Sequence, residues 1–326
     1  MSTVYLADAD STIPNLALMR LATYFRDRGD SVRFLRPGDR RTLFDPIGDV
    51  FGSSIFKFAR REREAIEQEW GLVRWGGTGV NNASSLTEVD TSVDWDAVTP
   101  DYSLYPGFTP SVGFLTRGCR LRCGFCVVPE KEGRPRVASS VARVWRGEGH
   151  PKQLLLLDND AFAKPLRAFW RDALDEMGGG NFRVCFSQGI NLRLLDDEAA
   201  AMIATTPYYA TDFEHRTLYT AWDNLRDEGI FRAGVERLRA AGVPPHRLMV
   251  YMLVGYDPKE TWEAIHHRFN ELVALGCDPF PMVYDQEARP DLCAFKRWAR
   301  SHLYRTVPWT EFRDRRINHA QGESAS

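Results

Sequence analysis

The chain has 326 residues, enough for one large domain or a barrel with a smaller companion. Hydrophobic residues make up 44% and charged residues 26%, an ordinary globular balance, and the formal net charge of −2 gives no global attraction to nucleic acid or anionic membrane. No apolar run approaches the ~20 residues of a membrane helix, and the start, Met1-Ser-Thr-Val-Tyr-Leu-Ala-Asp8, lacks the basic region of a signal peptide, so a cytoplasmic location is expected.

In chain order, Val4–Ala7 reads as a strand, and Leu16, Met19, Leu21, Ala22 and Phe25 recur at helical spacing up to Gly29-Asp30. Ser31–Leu35 is a second strand, completing a β-α-β opening that predicts a parallel sheet. Asp49–Phe51 and Leu72–Trp75 extend it, the latter running into Gly76-Gly77-Thr78-Gly79. That glycine cluster lacks a phosphate-loop lysine and reads more simply as a tight turn. Ser84–Pro106, rich in Ser, Thr, Asp and Pro, reads as a linker.

Beyond it, strand-like runs alternate with helical stretches. The runs begin at Val112, Leu154, Phe182, Thr217, Leu248 and Phe280, and Ala199–Ala204, Phe231–Ala241 and Thr261–Leu275 have helical composition. Polar residues or glycine follow each run, the position of active-site groups on a parallel barrel. Expected boundaries are residues 1–98 for an N-terminal α/β domain, 99–290 for the barrel and 291–326 for a helical extension ending in a disordered Gln321–Ser326 tail.

Between the first two of these runs lies Gly118-Cys119-Arg120-Leu121-Arg122-Cys123-Gly124-Phe125-Cys126, which holds half of the six cysteines. Thiolates converging from one short loop suit an iron–sulfur cluster, and three ligands for four irons leave one iron open. A structural zinc site wants four ligands, and the fourth would have to come from afar. A disulfide framework fits a chain with few cysteines and no export signal less well. A reactive thiol needs only one of the three.

The spacing of Cys119, Cys123 and Cys126, with Phe125 before the last, resembles the cluster loop of the radical S-adenosylmethionine (SAM) superfamily. Gly113–Cys119, Pro129–Gly133, Ile13–Met19 and Pro100–Pro106 are similar to a bacterial and phage group of these enzymes. The resemblance implies an α/β fold: a partial (β/α)6 TIM-type barrel preceded by a small Rossmann-like domain. It also implies a [4Fe-4S] cluster on the three cysteines, SAM chelated at the open iron, and an external electron donor such as a flavodoxin or ferredoxin. Reductive cleavage of SAM would then give methionine and a 5′-deoxyadenosyl radical that takes hydrogen from a substrate. Rossmann-like domains in this superfamily often bind cobalamin through a histidine, but no histidine precedes His150. Nor does a cysteine precede Cys119, as the extra cluster of methylthiotransferases would need.

By the same resemblance, Phe125 places its backbone against adenine, and Asp158, Asn159 and Asp160 stand where family members carry a motif for the methionine amine. Ser187, Gln188, Asn191 and Arg193 follow the third strand, where ribose and carboxylate contacts arise. Asp223 is a further ribose or substrate contact, and Gly255 lets a strand approach adenine. The competing readings are strand-end turns, helix caps and a surface salt bridge at Arg193. Cys185, Cys277 and Cys293 form no paired motif; a second cluster or a hydrogen-donating thiol are the alternatives to buried cysteine. His266-His267 reads as a solvated helix face. From Lys296 to Arg316, seven basic and two acidic residues interleave with Trp298, Tyr304, Trp309 and Phe312. This fits either a packing helix or a surface for a nucleotide or nucleic-acid base. The rival to the enzyme is a non-catalytic iron–sulfur or zinc protein that senses redox state or binds a partner.

Overall fold

The computed structural model describes residues 2–81 and 85–312. They fall into two compact units, Met1–Arg183 and Val184–Ser326. Both are mixed α/β built on parallel strands.

The first unit opens with β1 (Thr3–Asp8), α1 (Leu16–Asp27), β2 (Ser31–Leu35), β3 (Asp49–Ser53), α2 (Arg60–Trp70) and β4 (Val73–Gly76), which form a parallel sheet in the order β2-β1-β3-β4. The apolar run of β1 is buried, as a central strand covered on both faces requires. Asn15 starts α1 by accepting from the Leu18 N–H at 3.3 Å, and Leu18, Met19, Leu21 and Ala22 form its buried stripe. The α2 helix buries only Ile66 and Trp70, which join Tyr5, Ala7, Val50 and Val73 in one core cluster. Helices occupy the β1–β2 and β3–β4 crossovers, whereas residues 36–48 cross from β2 to β3 without one.

The segment read as a linker is built into this unit over its described part, residues 85–106. Trp95, Leu104 and Tyr105 are buried, Trp95 packs on Tyr24 of α1, and Tyr105 donates to Asp8 at 2.6 Å. Its aspartates serve as partners for side chains of α1: Asp90 accepts from Tyr24 and Asp96 from Arg20.

The rest of the unit comprises β5 (Ser111–Gly113), β6 (Thr116–Arg117), α3 (Val128–Lys131), β7 (Arg136–Val137), α4 (Val141–Val144), β8 (Gln153–Leu156) and α5 (Arg167–Gly179). β5 and β8 pair in parallel, Ser111 to Leu154 through Gly113 to Leu156, while β6 and β7 form a two-residue antiparallel ribbon.

The second unit contains β9 (Arg183–Phe186), α6 (Asp197–Thr205), β10 (Leu218–Ala221), α7 (Glu228–Ala240), β11 (Leu248–Val254), α8 (Trp262–Ala274), β12 (Asp278–Val283) and α9 (Pro290–Arg300). β10, β11 and β12 make a parallel sheet, with Leu248, Val250, Met252 and Val254 buried in alternation along β11. The aromatic residues near the chain's end are largely interior. Trp298 and Trp309 are buried with Phe295 and Phe269, and this corrects the solvated-face reading of His266, whose ring is half-buried against Trp262, Phe295 and Trp309. His267 pairs with Glu228 at 2.9 Å. The disordered tail expected at Gln321–Ser326 lies outside the described residues. Among the described residues, no helix is long and apolar enough to cross a membrane.

Candidate functional site

The cysteine segment is a lasso with a braced neck. Its strands of entry and exit are β6 and β7, which pair Thr116 with Val137 and Arg117 with Arg136. Asp96 spans this neck, 2.9 Å from Arg117 and 3.1 Å from Arg136, and also meets Arg20 at 3.1 Å. Burial works against its charge, but the guanidiniums of Arg117, Arg20 and Arg136 hold the Asp96 carboxyl below its usual range. Asp158, just past the end of β8, fixes the entry: it accepts from the N–H of Leu115 at 3.1 Å, the N–H of Thr116 at 2.5 Å and the Thr116 hydroxyl at 2.6 Å.

Inside the neck the chain turns sharply. Gly118 has φ +85°, and a Cβ there would strike the carbonyls of Gly133 and Arg134. Glu132 closes the turn, with one oxygen 3.0 Å from Arg117 and the other accepting from the Gly118 N–H at 2.9 Å and the Asn159 amide at 3.1 Å. The Cys119 N–H donates to the Gly133 carbonyl at 3.1 Å. One residue on, buried Asp160 accepts from the Arg120 N–H at 3.0 Å and from two guanidinium nitrogens at 2.8 and 3.0 Å. This two-pronged geometry fixes Arg120 in orientation as well as charge.

Cys119, Cys123 and Cys126 are half-buried thiols on this lasso, and Phe125 is half-buried between the last two. The Cys126 N–H donates to the Cys123 carbonyl at 3.0 Å, folding the final Cys-x2-Cys back on itself. Burial pushes the Cys119 thiol up to about 11; the Leu121 N–H opposes this, and the charges of Asp160, Cys126 and Cys123 add to it. The charges of Cys123 and Cys126 thus both reach Cys119. Among the described residues, no three His, Cys, Asp or Glu side chains are drawn together tightly enough to hold a single ion.

Of the strand-end trio, the carboxylates of Asp158 and Asp160 bind the lasso itself and Asn159 reaches it through Glu132. All three thus stand beside the cysteines, tied to the chain's own donors and acceptors.

The residues expected after the later strands lie in the second unit. Asp223 is half-buried, accepts from the Leu253 N–H at 3.3 Å, and is raised in pKa by desolvation despite the charges of Arg193 and Arg268. Arg193 pairs with Asp227 at 3.3 Å, where Asn224 also donates at 2.8 Å, and Asn191 accepts from the Arg193 N–H at 3.2 Å as a turn cap. Gly255, at φ +78°, donates to Glu260 at 3.1 Å. Glu260 in turn pairs with fully buried Arg268, which donates to the carbonyls of Trp222 and Leu253, both at 2.9 Å. One polar knot thus gathers Arg193, Asp223 and Gly255 at the ends of β10 and β11. Ser187 and Gln188 attach elsewhere: the Ser187 carbonyl accepts from Tyr251 at 3.1 Å, and Gln188 is exposed.

Sequence reasoning missed Glu132, Asp96, Asp227, Glu260 and Arg268. Only Arg268 left a usable signal, a charge set among Ile265, Phe269 and Leu272 on the buried face of α8. Cys185 and Cys277 are buried and pushed up to about 12 by that burial, with no mutual influence like that within the lasso. No protein-family model, curated protein or solved structure matches the chain.

Proposed function

We propose that the chain is a radical SAM enzyme that binds a [4Fe-4S] cluster through Cys119, Cys123 and Cys126 and acts on an unidentified substrate. The observation that carries this is the lasso: a Cys119 thiol that feels the charges of Cys123 and Cys126, on a loop pinned by three acidic side chains, two of them from the end of β8. When bound with SAM and fed one electron from a flavodoxin or ferredoxin, the cluster supplies reductive cleavage of the sulfonium to a 5′-deoxyadenosyl radical.

The protein's own part is binding and orientation. Asp158, Glu132 and Asp160 fix the backbone that carries the sulfurs, so that cluster loading costs little further ordering. Loading must displace the Cys119 proton and is favoured as pH rises. Asn159 gives its amide N–H to Glu132 and keeps its carbonyl oxygen as an acceptor for a ligand ammonium. In this reading β5 and β8–β12 are the strands of a partial (β/α)6 barrel, and the β2-β1-β3-β4 sheet is a Rossmann-like companion. The substrate class we infer is a nucleotide or nucleic-acid base, met by basic residues from Lys296 onward, of which Arg313, Arg315 and Arg316 lie outside the described residues, rather than by the buried Trp298 and Trp309.

The test is anaerobic reconstitution with iron and sulfide, followed by dithionite and SAM and chromatographic detection of 5′-deoxyadenosine. The wild type is expected to form it, and Cys123→Ala to lose it at least a hundredfold. Brown protein that leaves SAM intact, or colourless protein that retains zinc, would replace the enzyme with a redox or interaction protein.

A further inference from the structure

The β2–β3 crossover sets this sheet apart. A parallel sheet needs both faces covered, normally by a helix at every crossover, yet residues 36–48 supply only an irregular loop. The loop is firmly held. Asp45 accepts from the Thr42 N–H at 2.7 Å and its hydroxyl at 2.8 Å, the Arg41 N–H donates to Glu69 at 2.8 Å, and the Tyr5 hydroxyl donates to the Pro46 carbonyl at 2.8 Å.

On this ordered frame Leu43 is 102% exposed, Phe44 95% and Ile47 91%, with Leu72 at 91% before β4. Beside them a cavity of about 270 Å³ opens at the N-terminal edge of the sheet. Tyr5 and Trp70 form its floor, Ile47 and Leu72 flank it, and Arg41 and Arg74 stand on its rim. Among the described residues, the Arg41 guanidinium has no hydrogen-bond or ion-pair partner; only its backbone N–H is engaged.

We propose that this face docks a second copy of the same chain, with Leu43 or Phe44 of each copy entering the other's cavity. Projecting apolar side chains and a receiving hole on one face make the patch self-complementary, as a two-fold interface demands. Phe44 alone can bury roughly 150 Å² or more. With Leu43, Ile47 and Leu72 also more than nine-tenths exposed, the patch offers a substantial part of the ~800 Å² that a partner contributes to a stable interface. The rim carries both signs of charge, with unpartnered Arg41 near Asp49, which is exposed and only 3.6 Å from Arg74. An anionic bilayer fits less well, because Arg33, Arg40 and Arg74 are already paired with Asp45, Glu69 and Asp49 around the loop.

Sedimentation of the full chain across the micromolar range tests this without reference to any activity. The wild type is expected to show a monomer–dimer equilibrium. Phe44→Asp, on the projection, and Leu72→Ser, beside the hole, should each weaken it at least tenfold. Both side chains lie in water, so the thermal midpoint should stay at the wild-type value and exclude misfolding as the cause. A wild type that remains monomeric throughout, or a dimer that neither substitution weakens, overturns the proposal. So does a monomer that co-sediments with phosphatidylserine vesicles until Phe44 is replaced, which would make the face a membrane contact.

Discussion

A carboxyl group taken wholly out of water, as Asp158 is, is pulled towards its neutral form, while three donors aimed at it favour the charge. An unfolded aspartate titrates near 4, and burial, only partly offset by the Thr116 and Leu115 donors, pushes Asp158 up to about 6. Between those values the native state keeps a proton that the unfolded chain has released, so stability falls as pH rises through the window. Two units of difference correspond to on the order of 3 kcal/mol. Asp158→Asn has nothing to titrate. Urea unfolding at about pH 4 and about pH 7 should therefore show the wild type losing ~2 kcal/mol relative to the variant between the two, since at pH 4 the unfolded carboxyl is already half ionised. Parallel pH dependences for the two proteins would mean that the carboxyl titrates normally despite its burial.

At the level of elements, the lasso depends on one glycine more than on its neighbours. Gly118 and Gly133 both have positive φ, +85° and +75°, but a side chain at Gly133 meets open space, whereas at Gly118 it meets backbone carbonyls of the returning strand. Left-handed backbone alone costs an alanine ~1–2 kcal/mol. Gly133→Ala should lose about that much in denaturant titration and still load iron. Gly118→Ala must also push β6 away from the exit and should lose most of its iron and sulfide. Equal iron content in the two variants would show that the tight turn is dispensable. The strands from Val112 onward were legible because apolar runs of four to seven residues with polar ends resemble little else, and all six runs became strands. The α2 helix was not legible: most of Arg60–Trp70 is charged, and two buried residues give too sparse a period. Nor was the β6–β7 neck, since two-residue strands have no period and their pairing depends on Asp96, far off in sequence. The cysteines were visible because their spacing is local. The partners of Asp158 and Asp160 were not, because only the fold brings residues 115–120 to the end of β8.

Across the whole molecule, the same limit governs the segment read as a linker. Its Ser, Thr, Asp and Pro content suits a solvated connection, but aspartates that would face water there accept from Tyr24 and Arg20, and Trp95 packs beneath them. Composition cannot separate the two cases, since a cap and a solvated turn use the same residues. Burial likewise sorts the six cysteines into classes that their spacing only partly foretold. Cys185 and Cys277 are interior and pushed up to about 12, which leaves roughly one thiolate in ten thousand at pH 8. Cys119, pushed up to about 11, should react slowly, whereas Cys123, Cys126 and Cys293 are half-buried and accessible. Iodoacetamide labelling of the folded apoprotein, followed by intact mass, should therefore add three groups quickly and a fourth slowly, and all six only after denaturation. Loading iron and sulfide first should protect Cys119, Cys123 and Cys126 together and leave Cys293 as the labelled site. Rapid labelling of Cys185 or Cys277 in folded protein would contradict the packing of the second unit. Unchanged labelling of the lasso after loading would instead place the iron somewhere other than these three sulfurs.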